Sequence, residues 1–277
     1  MRTLFVTDLD GTLLNRGSRI SDFSRKTING LVEKGLLFTY ATARSLASAS
    51  VVAEGLSTEI PIIAYNGAFI VEPSDGKILL SNFITEEQKG FLKDVFRKNH
   101  VSPLVYAYVN GVEKVTWRTA LENDGIQRYL SLRKGDKRFQ PLSEEEADKL
   151  YVGDSFYYTC IGEKEELQPV YEALKDSEDF NVLFHQELYR PEYWCEILPK
   201  KATKANAIAE LKKLWGCEKV VSFGDAVNDI PMFEISDECY AVENAVEELK
   251  KLATGVIGSN EDDGVAKWLL DNWKKWQ

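Results

Sequence analysis

The most constraining feature of the sequence is a short apolar run that stops in a pair of acids. Leu4-Phe5-Val6 is followed by Asp8-Leu9-Asp10-Gly11-Thr12. A strand that ends in this way delivers both carboxylates to the carboxyl edge of a sheet, where open α/β sheets bind their ligands. The pair is typical of the nucleophile and the acid/base of a phosphoryl-transfer enzyme. A strand that ends in an acidic turn is also a common structural feature, so the pair alone leaves both interpretations open.

Strands and helices alternate in the first part of the chain. Hydrophobic spacing predicts strands at residues 3–7, 36–41 and 61–65, with helices at 21–33 and 46–56 between them. Short strands fed by helices indicate a parallel sheet that is covered on both faces. We therefore expect an α/β fold with a Rossmann-like, doubly wound parallel sheet.

The middle of the chain follows a different pattern. A helix is predicted at 86–98, and two alternating runs at 104–109 and 112–117 are joined by Asn110-Gly111, a strong hairpin turn. Hairpins and helices without regular alternation indicate a separate α+β unit. The α/β pattern then returns with a strand-like run at 193–198 and a helix that Thr203 can cap.

These patterns predict two domains in the 277-residue chain. Residues 1–82 and 191–277 form the α/β core, and residues 83–190 form the inserted unit. A net charge of −10 argues against nucleic acid or an anionic membrane as the main partner. An acidic protein that handles an anionic substrate needs a local cation, most simply a metal ion.

The sequence also predicts a cytoplasmic protein. It has no apparent signal peptide and no apolar run near the ~18 residues of a membrane span. The dispersed Cys160, Cys195, Cys217 and Cys239 are typical of reduced core thiols.

Three further signals accompany the acid pair. Thr42 follows the second predicted strand, Lys204 opens a helix, and Gly224-Asp225-Ala226-Val227-Asn228-Asp229 follows the apolar run 220–223. A hydroxyl or a lysine near a helix start is usually a cap or a solvated charge. The joint placement of all four signals is much harder to obtain by accident.

Together these residues make the chain resemble a phosphatase of the haloacid dehalogenase superfamily, of the Cof type (type IIB, with a C2 cap). Further motifs support the resemblance: Asn66-Gly67-Ala68, Glu196-Ile197 with Pro199, Glu243-Asn244-Ala245 and Asp263-Gly264-Val265-Ala266. One departure is Ala43, where the family usually has glycine, and we expect it to tune the site rather than disable it.

The resemblance implies Mg²⁺-dependent hydrolysis of small phosphorylated metabolites, sugar phosphates or similar compounds, through an aspartyl-phosphate. Asp8 would be the nucleophile, and Asp10 would protonate the leaving group and then activate water. The implied metal-binding set is Asp8, Asp10 through its main-chain carbonyl, and Asp225, with Asn228 and Asp229 in support. Mg²⁺ suits oxygen ligands of this kind.

The implied substrate-binding set is Thr42, Ala43, Arg44, Asn66 and Lys204, of which Thr42 and Lys204 would also serve catalysis. We expect Thr42 to present its hydroxyl at a helix N-terminus, where backbone N–H groups favour anions. Aromatic residues of the inserted unit could contact the leaving group: Tyr106, Tyr108, Trp117, Tyr157, Tyr158 and, near the return linker, Tyr189-Arg190.

Two alternatives remain open from the sequence. A phosphomutase on the same fold would lose its aspartyl-phosphate to water only slowly, and nothing in the sequence decides that. A non-catalytic sensor of phosphorylated ligands would have no reason to keep a proton donor such as Asp10. The oligomeric state, a monomer or a small homo-oligomer, is undetermined.

Overall fold

The computed structural model describes residues 2–186 and 190–276. Its strands are β1 (Thr3–Thr7), β2 (Leu37–Tyr40), β3 (Ile62–Ala64), β4 (Phe69–Val71), β5 (Ile78–Ser81), β6 (Leu104–Val109), β7 (Val112–Arg118), β8 (Phe139–Leu142), β9 (Asp154–Gly162), β10 (Phe180–Gln186), β11 (Tyr193–Pro199), β12 (Lys219–Gly224), β13 (Glu238–Val242) and β14 (Gly255–Ile257). Its α-helices are α1 (Asp22–Val32), α2 (Leu46–Val52), α3 (Glu86–Lys98), α4 (Asp124–Leu132), α5 (Lys164–Leu174), α6 (Lys204–Leu214), α7 (Ile230–Glu234), α8 (Glu247–Leu252) and α9 (Gly264–Asn272).

The chain divides into two compact units. The described parts of Met1–Ser81 and Ala202–Gln277 form the first unit, and those of Asn82–Lys201 form the second unit. The first unit contains a parallel sheet with the order β14-β13-β12-β1-β2. This confirms the predicted Rossmann-like parallel sheet.

The strand order places a crevice at the centre of this sheet. The chain moves from β1 to β2 in one direction and from β12 through β13 to β14 in the other. Because parallel crossovers are right-handed, α1 and the pair α7 and α8 cover opposite faces. The order reverses between β1 and β12, and ligands bind at the carboxyl ends of strands at such a point.

The last helix, α9, and the residues that follow it pack in this unit through aromatic side chains. Trp273 is buried, the Trp276 ring meets the Phe5 ring edge-on, and Trp268 packs on Phe223 and Tyr240. β4 and β5 form a hairpin and pair antiparallel next to β3.

The second unit is an antiparallel-rich sheet with the order β10-β11-β9-β6-β7-β8. Asn110-Gly111 joins β6 and β7 as predicted. Alternate residues of the strands meet α3 and α5 in one apolar core, which includes Phe96, Tyr158 and Leu167. The antiparallel pairing and the two helices on one face fit the expected α+β composition.

One predicted boundary is wrong. The expected return to the α/β domain at residue 191 places the run 193–198 in the first unit. This run instead forms β11, which pairs antiparallel with both β9 and β10, so the division falls between Lys201 and Ala202. Local pattern identifies a strand but does not say which distant strands it pairs with.

Several proposed contacts of the inserted unit are packing residues. Tyr158 is fully buried in the apolar core, where its hydroxyl meets that of Ser155 at 2.8 Å. Tyr106, Trp117 and Tyr157 are also buried, and only Tyr108 of this set keeps an intermediate exposure. Tyr189 lies outside the described residues, and Arg190 is exposed.

Other differences are local. The helix α4 was not expected, and α2 ends four residues before the predicted limit. The four cysteines are free and buried, as predicted for core thiols.

In the part of the chain that the structure describes, no helix combines the length and the apolar character needed to cross a membrane.

Candidate active site

The sheet register brings three of the four sequence signals to one edge. Thr7, the last residue of β1, lies beside Tyr40 of β2 and Phe223 of β12. Immediately beyond, the Asp8 N–H donates to the Phe223 carbonyl at 2.9 Å, and the Ala41 N–H donates to the Thr7 carbonyl at 2.9 Å. Asp8, Thr42 and Asp225 therefore leave the sheet at neighbouring carboxyl ends, as the sequence predicted.

Lys204 completes this site from the start of α6. The helix begins at Lys204 because the Thr203 hydroxyl caps it, accepting from the Asn206 N–H at 3.1 Å. The Lys204 Nζ donates to Asp8 Oδ1 at 2.5 Å and to Asp229 Oδ1 at 2.6 Å. Burial alone would lower the pKa of Lys204, but Asp229 and Asp8 raise that pKa above its ordinary value. The ammonium is therefore charged at neutral pH.

Asp229 is fully buried and uses both of its oxygens. While Oδ1 accepts from Lys204, Oδ2 accepts from the N–H groups of Asp225 at 3.0 Å and Ala226 at 3.1 Å. Asp229 therefore fixes the Lys204 ammonium and the Asp225 backbone at the same time. A short 3-10 turn, Val227–Asp229, folds the motif back on itself and makes this possible.

Three carboxylates converge next to this ion pair. Oxygens of Asp8, Asp225 and Asp229 lie within 4.8 Å of one another. Burial raises the pKa of Asp8 well above its ordinary value, and the charges of Asp229 and Asp225 add to this rise while Lys204 opposes it. Burial, followed by the charge of Asp229, raises the pKa of Asp225 to about 6. Three acids face one ammonium here, so the ionised site would carry a surplus of negative charge.

This surplus and the shape of the turn fit a divalent cation. The oxygens are ligands of the type that Mg²⁺ prefers. The turn after β1 leaves room around them because residue 11 is glycine, and a Cβ there would lie 2.2 Å from Asp225 Oδ2. Asn228 is partly exposed on the same loop as Asp225. The residues present therefore suit a metal ion beside Asp8 and Asp225.

Asp10 makes a separate contact. Its two carboxylate oxygens accept from Arg44, at 2.7 Å from Nε and at 2.6 Å from Nη2. The hydrogen bond to Asp10 raises the pKa of Arg44 above its ordinary value. Arg44 also donates to the Ser48 hydroxyl at 3.0 Å. The Asp10 carboxylate is about half exposed, unlike the buried Asp8.

Thr42 does not lie at the start of a helix, and that prediction is wrong. The helix α2 begins at Leu46, where Ser45 supplies the capping oxygen. Thr42 is instead buried in the preceding loop, where its Oγ1 accepts from the Arg44 N–H at 3.1 Å. Since that oxygen acts as an acceptor here, its O–H remains available to donate. The sequence Ser45-x-x-Ser48 is as good a capping sequence as any that involves Thr42. The local pattern therefore did not identify the correct start of the helix α2.

The loop after β3 is held against Thr42 in a strained conformation. Tyr65 and Asn66 both have positive φ, at 50° and 52°, which non-glycine residues seldom adopt. The Asn66 N–H donates to the Thr42 carbonyl at 2.9 Å. Asn66 is buried, and its Oδ1 has no hydrogen-bond partner among the described residues. Strain and an unpartnered polar atom of this kind cluster at functional sites.

Ala43 fits without strain. It is exposed, and it is not among the described non-glycine residues with positive φ. The usual family glycine is therefore not required for the backbone conformation of this loop.

The sequence reasoning gave no role to Thr12, although it lies in the first motif. Its hydroxyl donates to Asp225 Oδ1 at 2.9 Å, which ties the turn after β1 to the loop after β12. The position of this hydroxyl, four residues after Asp8 in the same motif, was the available signal. Only the tertiary structure shows its partner.

Comparisons with known proteins identify the family of the chain. Residues 5–269 match the family of haloacid dehalogenase-like hydrolases. The chain is 28% identical over 285 residues to the 5-amino-6-(5-phospho-D-ribitylamino)uracil phosphatase YwtE of Bacillus subtilis (strain 168), with 95% of each chain covered.

Solved structures show the same fold. The crystal structure of TM0651 from Thermotoga maritima is 28% identical, with a TM-score of 0.77, and covers 98% of this chain and 96% of its own. The subclass IIB sugar phosphatase BT4131 shares the fold at 20% identity, with a TM-score of 0.72 and 97% and 98% of the two chains covered. The chain belongs to the haloacid dehalogenase-like hydrolase family, as one of its phosphatases.

Proposed function

We propose that this protein hydrolyses monophosphate esters of small metabolites, sugar phosphates among them, in a Mg²⁺-dependent reaction through an aspartyl-phosphate on Asp8. The observation that carries this proposal is the buried Lys204 ammonium, which bonds Asp8 and Asp229 beside Asp225. A phosphoryl group needs a nucleophile and positive charge at one point, and this arrangement supplies both.

Asp8 is the nucleophile of this proposal. It follows the central strand β1, and its Oδ1 is held by Lys204 at 2.5 Å. Its second oxygen is not engaged by Lys204 and can attack phosphorus. Burial raises the pKa of Asp8, so the carboxylate depends on positive charge to stay ionised. Lys204 supplies part of that charge, and a bound cation would supply more.

Asp8, Asp225 and the Asp10 main-chain carbonyl would hold Mg²⁺, with Asn228 and Asp229 in support. When bound, Mg²⁺ contributes positive charge that stabilises the charge on the transferring phosphoryl group. Asp229 is better suited to support than to direct binding, because Lys204 and two backbone N–H groups already occupy its oxygens.

Thr42, Lys204 and Asn66 would bind the phosphoryl oxygens. The buried Thr42 hydroxyl can donate, and Lys204 adds a compact charge. Ala43 lies between Thr42 and Arg44 and would contribute its backbone. Asn66 is buried in the loop that contacts Thr42, and its side-chain amide would supply a further donor.

Asp10 is the proposed acid and base. In the structure both of its oxygens are bonded to Arg44, so neither is free to carry a proton to a leaving group. A bound phosphate offers Arg44 another anion, and this would release the Asp10 carboxyl. Asp10 would then protonate the departing alkoxide and later take a proton from the water that attacks the Asp8 phosphoester.

The test is a panel of phosphorylated metabolites assayed for phosphate release with and without Mg²⁺. The panel includes 5-amino-6-(5-phospho-D-ribitylamino)uracil, which the name of the relative YwtE specifies. We expect Mg²⁺-dependent release, and we expect Asp8→Asn to abolish it while the exposed Asp22→Asn retains it. Wild-type activity in Asp8→Asn would refute the nucleophile. An isomerised sugar phosphate without free phosphate would identify a phosphomutase instead.

A further inference from the structure

One exposed amide side chain joins three loops around the acid pair. Asn244 lies two residues after β13. Its Nδ2 donates to the Gly11 carbonyl at 2.7 Å, and its Oδ1 accepts from the Asn260 N–H at 3.1 Å. Gly11 follows β1 and Asn260 follows β14, so the amide connects the loops after three strands of the sheet.

The same neighbouring loop holds the rest of the catalytic turn, defined here as residues 9–16. Asn260 Nδ2 donates to the Leu14 carbonyl at 2.8 Å, and the Arg16 N–H donates to Glu261 Oε1 at 2.6 Å. These two contacts hold the distal part of the turn. Asn244 holds the part that is nearest to the acids.

The peptide group that Asn244 holds lies between two functional side chains. On one side is Asp10, and on the other is Thr12, whose hydroxyl donates to Asp225 Oδ1 at 2.9 Å. A rotation of the Gly11–Thr12 peptide would turn both neighbours. The Asp225 carbonyl accepts from the Val246 N–H at 2.8 Å, so the loop that carries Asn244 also contacts Asp225 directly.

We propose that Asn244 is a positioning residue of the phosphatase reaction. Its amide fixes the peptide between Asp10 and Thr12, and thereby the approach of the Asp10 carboxyl to the leaving group. This inference rests on the proposed function for the role of Asp10. Asn244 needs both a donor and an acceptor, because one bond runs to a carbonyl and the other to an N–H.

The replacement Asn244→Asp separates these two bonds. Aspartate is nearly isosteric and can still accept from Asn260, but it cannot donate to Gly11 and places an oxygen against that carbonyl. Asn29→Asp is the matched control. Asn29 also bridges two segments, with its Nδ2 donating to Gly55 at 2.8 Å and its Oδ1 accepting from Ser57 at 2.8 Å, and it is not part of the proposed site.

We expect Asn244→Asp to lower kcat by about 10- to 100-fold, because small displacements of catalytic groups have effects of that order. The KM should stay within about twofold of wild type, because Thr42 and Lys204 bind the phosphoryl group independently of Asn244. Asn29→Asp should retain the wild-type kcat. The same kcat in Asn244→Asp and in Asn29→Asp would overturn the proposal.

Hydrogen exchange provides a readout that does not depend on turnover. Peptide amides in residues 9–16 should exchange about two- to tenfold faster in Asn244→Asp, as expected for one lost hydrogen bond, and at the wild-type rate in Asn29→Asp. Unchanged exchange in this segment would contradict the proposal. If the wild type releases no phosphate from any ester, the proposed function fails, and the exchange result alone then decides whether Asn244 orders the turn.

Discussion

Gly67 offers a quantitative test of how the site is assembled. Gly67 has φ of +99°, and a Cβ added there would lie 2.2 Å from the carbonyl oxygen of Thr203 and 2.5 Å from its carbonyl carbon. Thr203 is the residue that caps α6 and precedes Lys204. Since the contact is with backbone, no side-chain rotation can relieve it. Gly67→Ala should therefore displace the start of α6.

Gly35 supplies a matched control for this substitution. Its φ is +97°, almost the same as that of Gly67, but a Cβ there meets nothing within 4 Å. An alanine at positive φ costs about 1–2 kcal/mol. Overpacking adds about 1–3 kcal/mol. Gly35→Ala should therefore cost about 1–2 kcal/mol and Gly67→Ala about 2–5 kcal/mol.

Urea unfolding followed by tryptophan fluorescence measures these costs, and phosphate release measures the functional effect. We expect Gly35→Ala to keep the wild-type kcat. Gly67→Ala should lose about 100-fold if Lys204 shifts by about 1 Å from the phosphoryl group. Equal destabilisation by the two substitutions, with equal kcat, would show that Gly67 does not approach Thr203 closely and would refute the reasoning.

Three further predictions concern the acids. The pKa of Asp225 is raised to about 6, above its ordinary value, so a proton competes with the metal below that pH. Apparent Mg²⁺ affinity, measured by calorimetry, should then fall about tenfold per pH unit below about pH 6 and level off above it; equal affinity at pH 5 and pH 7 would contradict this. Thr12→Val removes the hydrogen bond to Asp225 and should weaken Mg²⁺ binding about two- to tenfold. The control is Thr27→Val, at a partly exposed threonine, which should leave Mg²⁺ binding unchanged. Asp10→Asn should slow phosphorylation of Asp8 less with nitrophenyl phosphate than with an alkyl phosphate, because nitrophenolate needs little protonation; equal loss in single-turnover assays would exclude the acid role.

Sequence pattern was sufficient for features that depend on neighbouring residues. The apolar run before Asp8 predicted β1, and Asn110-Gly111 predicted the hairpin of β6 and β7. Thr203 predicted the start of α6 because a capping hydroxyl acts within its own first turn. These signals are local, so a single sequence carries them.

The meeting of Asp8 and Asp225 also followed from local signals, combined with a general rule about parallel sheets. Parallel strands present their carboxyl ends at one edge, so residues that follow apolar runs are expected to meet there. Asp8 and Asp225 do so, with oxygens in one group. The rule does not specify hydrogen bonds, and the sequence did not predict that Asp229 would bind both Lys204 and the Asp225 backbone.

The predictions were wrong where the local sequence was equally compatible with two structures. Thr42 was expected at a helix start, but Ser45 caps α2. The run that became β11 has the apolar content of a strand in either unit, and its antiparallel pairing with β9 and β10 decided its place. Pairing between strands depends on groups far apart in the chain, which a local pattern does not contain.

The sequence by itself determined that an α/β sheet would bring acidic motifs and a lysine to its carboxyl edge, since strand ends and helix starts are set by adjacent residues. Only the tertiary structure decided which of these groups touch: Lys204 with Asp8 and Asp229, Arg44 with Asp10, and Asn244 with Gly11. Each contact joins residues that are separated by at least 25 positions. Their meeting depends on packing across the whole sheet rather than on the conformational preference of any one segment.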